Sequence, residues 1–397
     1  MDKKIRKGKI EKIVNGGFGL IRSDEGIVLL NYVVPGETIK YRIRERARGI
    51  NWGSVIEIED PYTERIVPDC KYYGECGGCV LSHLNYEDQI RIKKAILTDD
   101  LKRIGKLDID CNNLIKSPAY KYRARAKLKG LSDGKIGLIR KGTNDVIQID
   151  SCLIVALEIN QFISRWNNRE GMPFFHQLDI FFNETDKNLY IHLSAKPKKE
   201  DLRALDLFEN TVFSWKGKKN STESVLKIGE TNYIVSPDTF FQVNRFQWKN
   251  MLDIADSWMG KGGLSIDLYT GNGFFIPILL KYSDRVIGVE NSKRSVELAE
   301  RSFEKAEFLR MPVEKYDFPE ADTIIIDPPR SGIPRNVIQK IIEIKPGKII
   351  NISCSTATLA RDLSYFADNG YKIEEMFLID LFPHTAHMET MTLLKSQ

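Results

Sequence analysis

The rhythm of residues 231–397 constrains this 397-residue chain most. Apolar runs alternate with helix-like stretches: LSIDLYTG, a helix from 273, RVIGVE, a helix from 292, DTIIIDPPR, a helix from 335, GKIINISCS, and a helix from 357. Apolar strands that alternate with helices predict an α/β fold, a doubly wound parallel sheet with right-handed crossovers. The last two strand-like runs, YKIEEMFLID and HMETMTLLK, have no helix between them. They predict an antiparallel pair at one sheet edge. Ligands of such sheets bind beyond the carboxyl ends of the strands, so the residues there are the candidates for chemistry.

A prior of about 150 residues per domain leaves room for two more units. Residues 1–60 hold five short strand-like runs separated by Asn15-Gly16-Gly17, Asp24-Glu25-Gly26 and Pro35-Gly36. This predicts a small β-barrel of the OB-like kind that often binds oligonucleotides. Residues 61–230 read as a mixed, β-rich central domain with a helix near 156–167. A helix over 86–105 places Ile90, Leu97, Leu101 and Ile104 on one face, ends at Gly105 and is a candidate to pack on the C-terminal domain. The expected division is therefore 1–60, 61–230 and 231–397. No apolar run reaches about 18 residues. The N-terminus has no apolar stretch behind its basic residues, unlike a secretory signal. A cytoplasmic monomer with no membrane partner is expected.

The formal charge of +5 is unevenly spread. Residues 1–48 carry 12 Lys/Arg against 6 Asp/Glu, and residues 116–141 carry 9 against 1. In YKYRARAKLKG the basic residues Lys121, Arg123, Arg125, Lys127 and Lys129 alternate. Period two places them on one strand face, where a stripe can track a phosphate backbone.

Six cysteines occupy positions 70, 76, 79, 111, 152 and 354. Cys70-x5-Cys76-x2-Cys79 puts three thiols on a tight turn, and Cys111 or Cys152 would complete a four-thiolate set. Such a set suits zinc or an iron–sulfur cluster. The turn Asp267-Leu-Tyr269-Thr-Gly271-Asn-Gly273 opens a helix after the first apolar strand. Glu290 then ends the second strand, where an acid typically accepts ribose hydroxyls. A third glycine at dinucleotide spacing is missing, with Phe274-Phe275 instead, which favours S-adenosylmethionine over NAD. Asp327-Pro-Pro-Arg330-Ser-Gly332 ends the fourth strand. Cys354 ends the fifth, beside a helix N-terminus whose dipole is expected to lower its pKa. Asp380-Leu-Phe-Pro-His384-Thr-Ala-His387-Met-Glu389 joins the last two strands, and its acid and histidines read as general acid/base groups rather than metal ligands.

These residues closely resemble the RNA uracil-C5 methyltransferases that use S-adenosylmethionine and act on tRNA or rRNA, over nearly the whole chain. Residues 1–60 look like that family's TRAM barrel. Phe240-Phe241-Gln242-Val243-Asn244 looks like its FxQxN element, Asp267–Gly273 like DLYxGxG, Asp327–Gly332 like DPPRxG, and His387-Met-Glu389 like HxE. The resemblance implies a Rossmann-like methyltransferase sheet with Cys354 as nucleophile and Glu389 as base. Gln242, Tyr269, Gly271, Glu290 and Asp327 would lie at the cofactor. It implies a [4Fe–4S] cluster on Cys70, Cys76, Cys79 and Cys152, leaving Cys111 spare. Lys121, Arg123, Arg125 and Lys127 would contact RNA, with 23S rRNA the first candidate, then tRNA, and 5-methyluridine the product. Ser355-Thr356 stands where the family often has Asn-Pro, and Thr270 where it often has Cys. A DNA cytosine methyltransferase would carry Pro-Cys at the nucleophile, whereas Ser353 precedes Cys354 here. A silent RNA-binding protein would not need Cys354 and Glu389.

Overall fold

The computed structural model describes residues 4–217 and 222–397; Met1, Asp2 and Lys3 of the basic N-terminal segment lie outside the described residues. The first unit contains β1 (Arg6–Lys9), β2 (Lys12–Val14), β3 (Phe18–Ser23), β4 (Gly26–Leu30), β5 (Thr38–Ala47) and β6 (Ile50–Asp60). The first expected run is split into β1 and β2. They sit at opposite ends of the order β1-β5-β6-β4-β3-β2. Only buried Ile10 and Glu11 separate them, so one kinked strand closes the sheet on itself. Ile10 N donates to Glu37 O at 2.8 Å and Glu11 N to Leu20 O at 2.9 Å across the kink.

Helix α1 (Tyr86–Arg103) follows the cysteine turn. Asn85 caps it by accepting from Asp88 N, a contact of the kind worth about 1 kcal/mol. Glu87 and Asp88 in its first turn, and Lys102 and Arg103 in its last, complement the helix dipole. Of the expected face Ile90, Leu97 and Leu101 are buried and Ile104, the C-cap, is half-buried; Asp88, Gln89, Lys93 and Asp100 are buried too. Gly105 is needed for close approach: a Cβ there would lie 2.7 Å from Ala360 O.

After β7 (Asn113–Ile115) come β8 (Arg125–Gly130), β9 (Ile136–Ile139), β10 (Val146–Gln148), α2 (Leu157–Asn167), β11 (Gln177–Phe182), β12 (Leu189–Leu193), α3 (Lys199–Leu205) and β13 (Thr211–Trp215). They form a sheet in the order β10-β9-β8-β11-β12-β13, with α2 packed on an apolar core around Trp166. The hairpin β14 (Ser224–Ile228) and β15 (Thr231–Val235) leads into α4 (Trp248–Trp258).

The last unit contains β16 (Gly262–Leu268), α5 (Ile276–Tyr282), β17 (Ser283–Glu290), α6 (Lys293–Ser302), β18 (Glu307–Arg310), β19 (Thr323–Ile326), α7 (Arg335–Ile344), β20 (Lys348–Ser353), α8 (Thr356–Ala367), β21 (Tyr371–Ile379) and β22 (Glu389–Ser396). Strands β16 to β20 pair in parallel, as the alternation predicts. Thr323, Ile324, Ile325 and Ile326 are all buried, which is why β19 reads as an unbroken apolar run.

The edge of this sheet departs from expectation. The antiparallel pair does not form the edge, because the order is β18-β17-β16-β19-β20-β22-β21-β7 and β7 pairs in parallel with β21. Helix α1 also packs on α8. Two elements of the 61–230 stretch therefore build the last unit. Its core merges with that of the barrel through α1.

Candidate active site

The site lies at the carboxyl ends of β16, β17, β19 and β20. Strands β20 and β22 are antiparallel, with Ser353 opposite Thr390. The next position in that register sets Cys354 against Glu389. Thr390 Oγ1 donates to Ser353 O at 3.2 Å and ties the pair down. Asp327 follows β19, which neighbours β20, and its carboxylate accepts from Gln242 Nε2 at 3.0 Å. Trp248 Nε1 donates to Gln242 O at 2.8 Å and fixes the FxQxN turn. Arg330 reaches His387, Nη2 to Nε2 at 3.4 Å.

The electrostatics of this corner differ from the expectation for Cys354. Its thiol is pushed up to about 11, first by burial and then by Glu389 and Asp327, with Arg330 opposing. Two neighbouring carboxylates and desolvation outweigh the helix dipole. Glu389 is held well above the usual carboxylate range by burial and by Asp327, again opposed by Arg330. Asp327 is raised to about 7 because its carboxyl group is enclosed, although the residue as a whole is only half-buried. Burial first, and then Arg330, lower His387 to about 4, so the imidazole is neutral at pH 7.

The neighbouring turn is shaped for a ligand. Tyr269, Gly271 and Gly273 all have positive φ, at 61°, 55° and 82°. A Cβ on Gly273 would meet Phe303 at 2.9 Å. Glu290 accepts from Gly271 N at 3.1 Å and Ser292 N at 2.6 Å, which aims its carboxylate at the turn. Thr270 is one residue the sequence left unexplained; its Oγ1 donates to Asp267 Oδ2 at 2.5 Å. Buried polar atoms without a partner gather at this edge: Asp267 Oδ1, Tyr269 OH, Asn272 Oδ1 and Glu389 Oε1. Buried polar groups are normally satisfied, so this cluster fits a polar ligand such as the nucleoside and amino-acid parts of S-adenosylmethionine. Asp267 is raised to about 8 by burial.

The cysteine turn lies elsewhere. Cys70, Cys76, Cys79 and Cys152 line one cavity of about 680 Å³ together with Tyr120, Arg123 and Phe240. Cys79 is raised to about 12 by burial and then by the other three thiols. Cys111 is not among them: it is buried beside β21, its thiol facing Met376 O at 3.6 Å. Among the described residues no group of three or more His, Cys, Asp or Glu has the geometry to hold a single metal ion. In a four-iron cluster each thiolate meets a different iron, so its ligands stand further apart than those of one ion. The shared cavity and the all-thiol donor set are chemically compatible with such a cluster.

The basic stripe is only partly a surface. Strand β8 begins at Arg125, so Lys121 and Arg123 precede it. Arg125 turns inward and donates to the carbonyls of Pro237 at 2.7 Å and Thr239 at 2.5 Å. Enclosure lowers it to about 10. It is a brace for the turn before Phe240, not an exposed phosphate contact. Lys127 is exposed and pairs with Asp179 at 3.4 Å. Lys121 is exposed with no ion pair among the described residues, and Arg123 Nε is buried with no hydrogen-bond partner among them.

Residues 300–397, the segment with Asp327, Cys354 and Glu389, match the family model described as tRNA (Uracil-5-)-methyltransferase. The chain is 29% identical to an RNA methyltransferase of Aquifex aeolicus, over 100% of this chain and 99% of that one. It is 28% identical to the tRNA (uracil(54)-C(5))-methyltransferase of Pyrococcus abyssi, over 98% of this chain and 100% of that one. The crystal structure of the Pyrococcus abyssi tRNA (uracil-54, C5)-methyltransferase, in complex with S-adenosyl-L-homocysteine, shares the fold. Its TM-score is 0.77 at 23% identity, covering 98% of this chain and 100% of that one. By these matches the chain is similar, over nearly its whole length, to RNA methyltransferases that include a tRNA uracil-5-methyltransferase, as fits an enzyme.

Proposed function

We propose that the enzyme transfers a methyl group from S-adenosylmethionine to C5 of a uridine in structured RNA, through a covalent bond between Cys354 and C6. The observation that carries this reading is the β20–β22 register, which sets Cys354 against Glu389 at the edge that also bears the Gly271–Gly273 turn. Uracil C5 is too weak a nucleophile to take a methyl group unaided. Addition of a thiolate to C6 turns the C4 carbonyl and C5 into an enolate whose C5 can attack; this divides one hard step into easier ones. S-adenosylmethionine supplies the electrophilic methyl on its sulfonium, and Gln242, Tyr269, Gly271, Glu290 and Asp327 would surround it.

The chain's own groups handle the protons. Cys354 rests as a thiol and must lose its proton when substrate arrives; Arg330 is the neighbouring side chain that favours the thiolate. Glu389, having first released its resting proton to solvent, takes the C5 proton after methylation. A carboxylate with raised proton affinity is the stronger base once ionised. The electron pair of the C5–H bond reforms C5=C6, the C6–S bond breaks, and Cys354 leaves as thiolate. The target uridine must leave its stack to reach Cys354.

The division into a TRAM-like RNA-binding barrel, a central domain and a methyltransferase domain belongs to this reading, with α1 and β7 structurally part of the last. The four thiols would hold a [4Fe–4S] cluster. Lys121, Arg123 and Lys127 would meet RNA phosphates. We expect the enzyme to act as a cytoplasmic monomer. Two comparisons name tRNA uracil 54 as the target of the archaeal relative, so tRNA is the first RNA to test and 23S rRNA the second. Incubation with methyl-labelled S-adenosylmethionine and cellular RNA, followed by nucleoside mass spectrometry, should yield 5-methyluridine. Label on another base, or none on any RNA, would overturn the proposal.

A further inference from the structure

Among the ion pairs of the described residues, Lys93 with Asp380 is the one whose two side chains are both fully buried, Nζ to Oδ1 at 2.6 Å. Lys93 lies on α1, and Asp380 opens the turn between β21 and β22. Lys93 Nζ also donates to Phe382 O at 2.9 Å, and the Tyr86 hydroxyl donates to Asp380 Oδ2 at 2.8 Å. The next residues are held from outside as well. Asn244 Nδ2 donates to Leu381 O at 3.0 Å, and the Tyr122 hydroxyl to Pro383 O at 3.1 Å. His384 N donates to Gln89 Oε1 at 2.7 Å, and His384 O accepts from Leu81 N at 2.8 Å. Each residue from Asp380 to His384 is thus pinned. His384 sits at φ 67°, a conformation unfavourable for a residue with a Cβ, so the turn needs this scaffolding. Four residues separate it from Glu389. The same helix reaches the nucleophile's side: Thr356 Oγ1 donates to Asp100 Oδ2 at 2.6 Å, two residues after Cys354.

Stability alone is a poor reason for such a pair. Desolvation offsets the Coulomb attraction, and apolar replacement of both partners is often neutral. What the ammonium adds over a methylene chain is direction: its donors reach two points on one turn.

We propose that Lys93, with Tyr86 and Asp380, is a positioning device on α1 that sets the turn 380–388 and so fixes Glu389 against the C5 proton. This rests on the reading of Glu389 as base. Loosening the turn then slows removal of the C5 proton, while addition of Cys354 and methyl transfer proceed, so the methylated covalent adduct accumulates.

The test is the double variant Lys93→Met/Asp380→Leu, which leaves no unpaired buried charge. It should melt near the wild type and keep its KM for RNA, while kcat falls roughly 10–100-fold, the scale of a misplaced catalytic group. A gel-stable, methylated protein–RNA adduct should appear in steady state. Tyr86→Phe removes one hydrogen bond to Asp380, and should show the same adduct at a lower level even where the double variant fails to fold. Wild-type kcat in these variants, or a fall in kcat without adduct, overturns the proposal. Glu389→Gln run alongside separates the two readings. No adduct there sinks the base assignment, and this proposal with it; adduct there but none in the positioning variants sinks the positioning role alone.

Discussion

The corner at Cys354 and the cavity at Cys79 are both lined by thiols, yet they are built in opposite ways. The first is made from strand ends. The β20–β22 register, the Thr390–Ser353 bond and the Gln242–Asp327 bond place its groups without help from any ligand. The second is made from loops of two distant segments, and its four thiols share a cavity without closing on one another. Burial raises thiol pKa in both places. Carboxylates raise it further at Cys354, whereas the other thiols do so at Cys79. A site held by sheet register can wait protonated for its substrate. A site of loops and thiols has no such register, and the proposed cluster would be what ties its two segments together.

The largest effect expected from breaking this contrast is on chemistry. Cys354→Ala should abolish methyl transfer, a loss beyond about 10⁴-fold for a residue that forms the covalent bond, with RNA affinity unchanged. Filter binding and labelled turnover read the two quantities, and residual turnover near wild type would remove Cys354 as nucleophile. The next effect lies in the cavity. Anaerobically prepared protein should be brown, absorbing near 400 nm with iron bound, and Cys152→Ser should lose colour and iron. A colourless wild type that contains zinc would favour the single-ion alternative.

A smaller effect concerns protonation at Cys354. Because the folded thiol is raised to about 11, alkylation at this residue should quicken about tenfold per pH unit from 7 to 10. Peptide mapping after timed iodoacetamide would check it, and a plateau by pH 8 would contradict it. The smallest effect separates the two kinds of arginine and lysine in the basic stripe. Lys121→Ala should weaken RNA binding by about 2- to 5-fold and lower the salt slope by about 1. Arg125→Ala should lower the melting temperature and leave the salt slope unchanged.

The C-terminal sheet was legible because each parallel strand is a short apolar run with a helix behind it, and its strand ends carry acids, glycines and a cysteine in order. Other parts were not legible, for reasons of distance and burial. Strand β7 joins the sheet from far back in the chain, and nothing local in Asn113–Ile115 announces a partner in β21. Alternation placed Arg125 on a face but could not say that carbonyls of residues 237 and 239 cover it. A helix N-terminus beside Cys354 suggested a low thiol pKa; the opposing carboxylates come from Glu389 and Asp327, which only the fold brings near. Nothing local in the sequence of α1 marks Lys93 as buried. Its burial follows from Asp380, 287 residues on.

The account turns on Glu389. Its folded carboxyl is raised, so at neutral pH it opposes folding, and that cost vanishes as pH falls below the unfolded carboxyl value near 4.3. Glu389→Gln should therefore melt higher than wild type at pH 7.5, with the gain shrinking toward pH 4. The direct measurement is intact-mass and peptide mapping of Glu389→Gln after incubation with S-adenosylmethionine and tRNA. The account predicts a methylated nucleotide covalently attached at Cys354 that is not released. Unimpeded formation of free 5-methyluridine, or an adduct at any other residue, would contradict it.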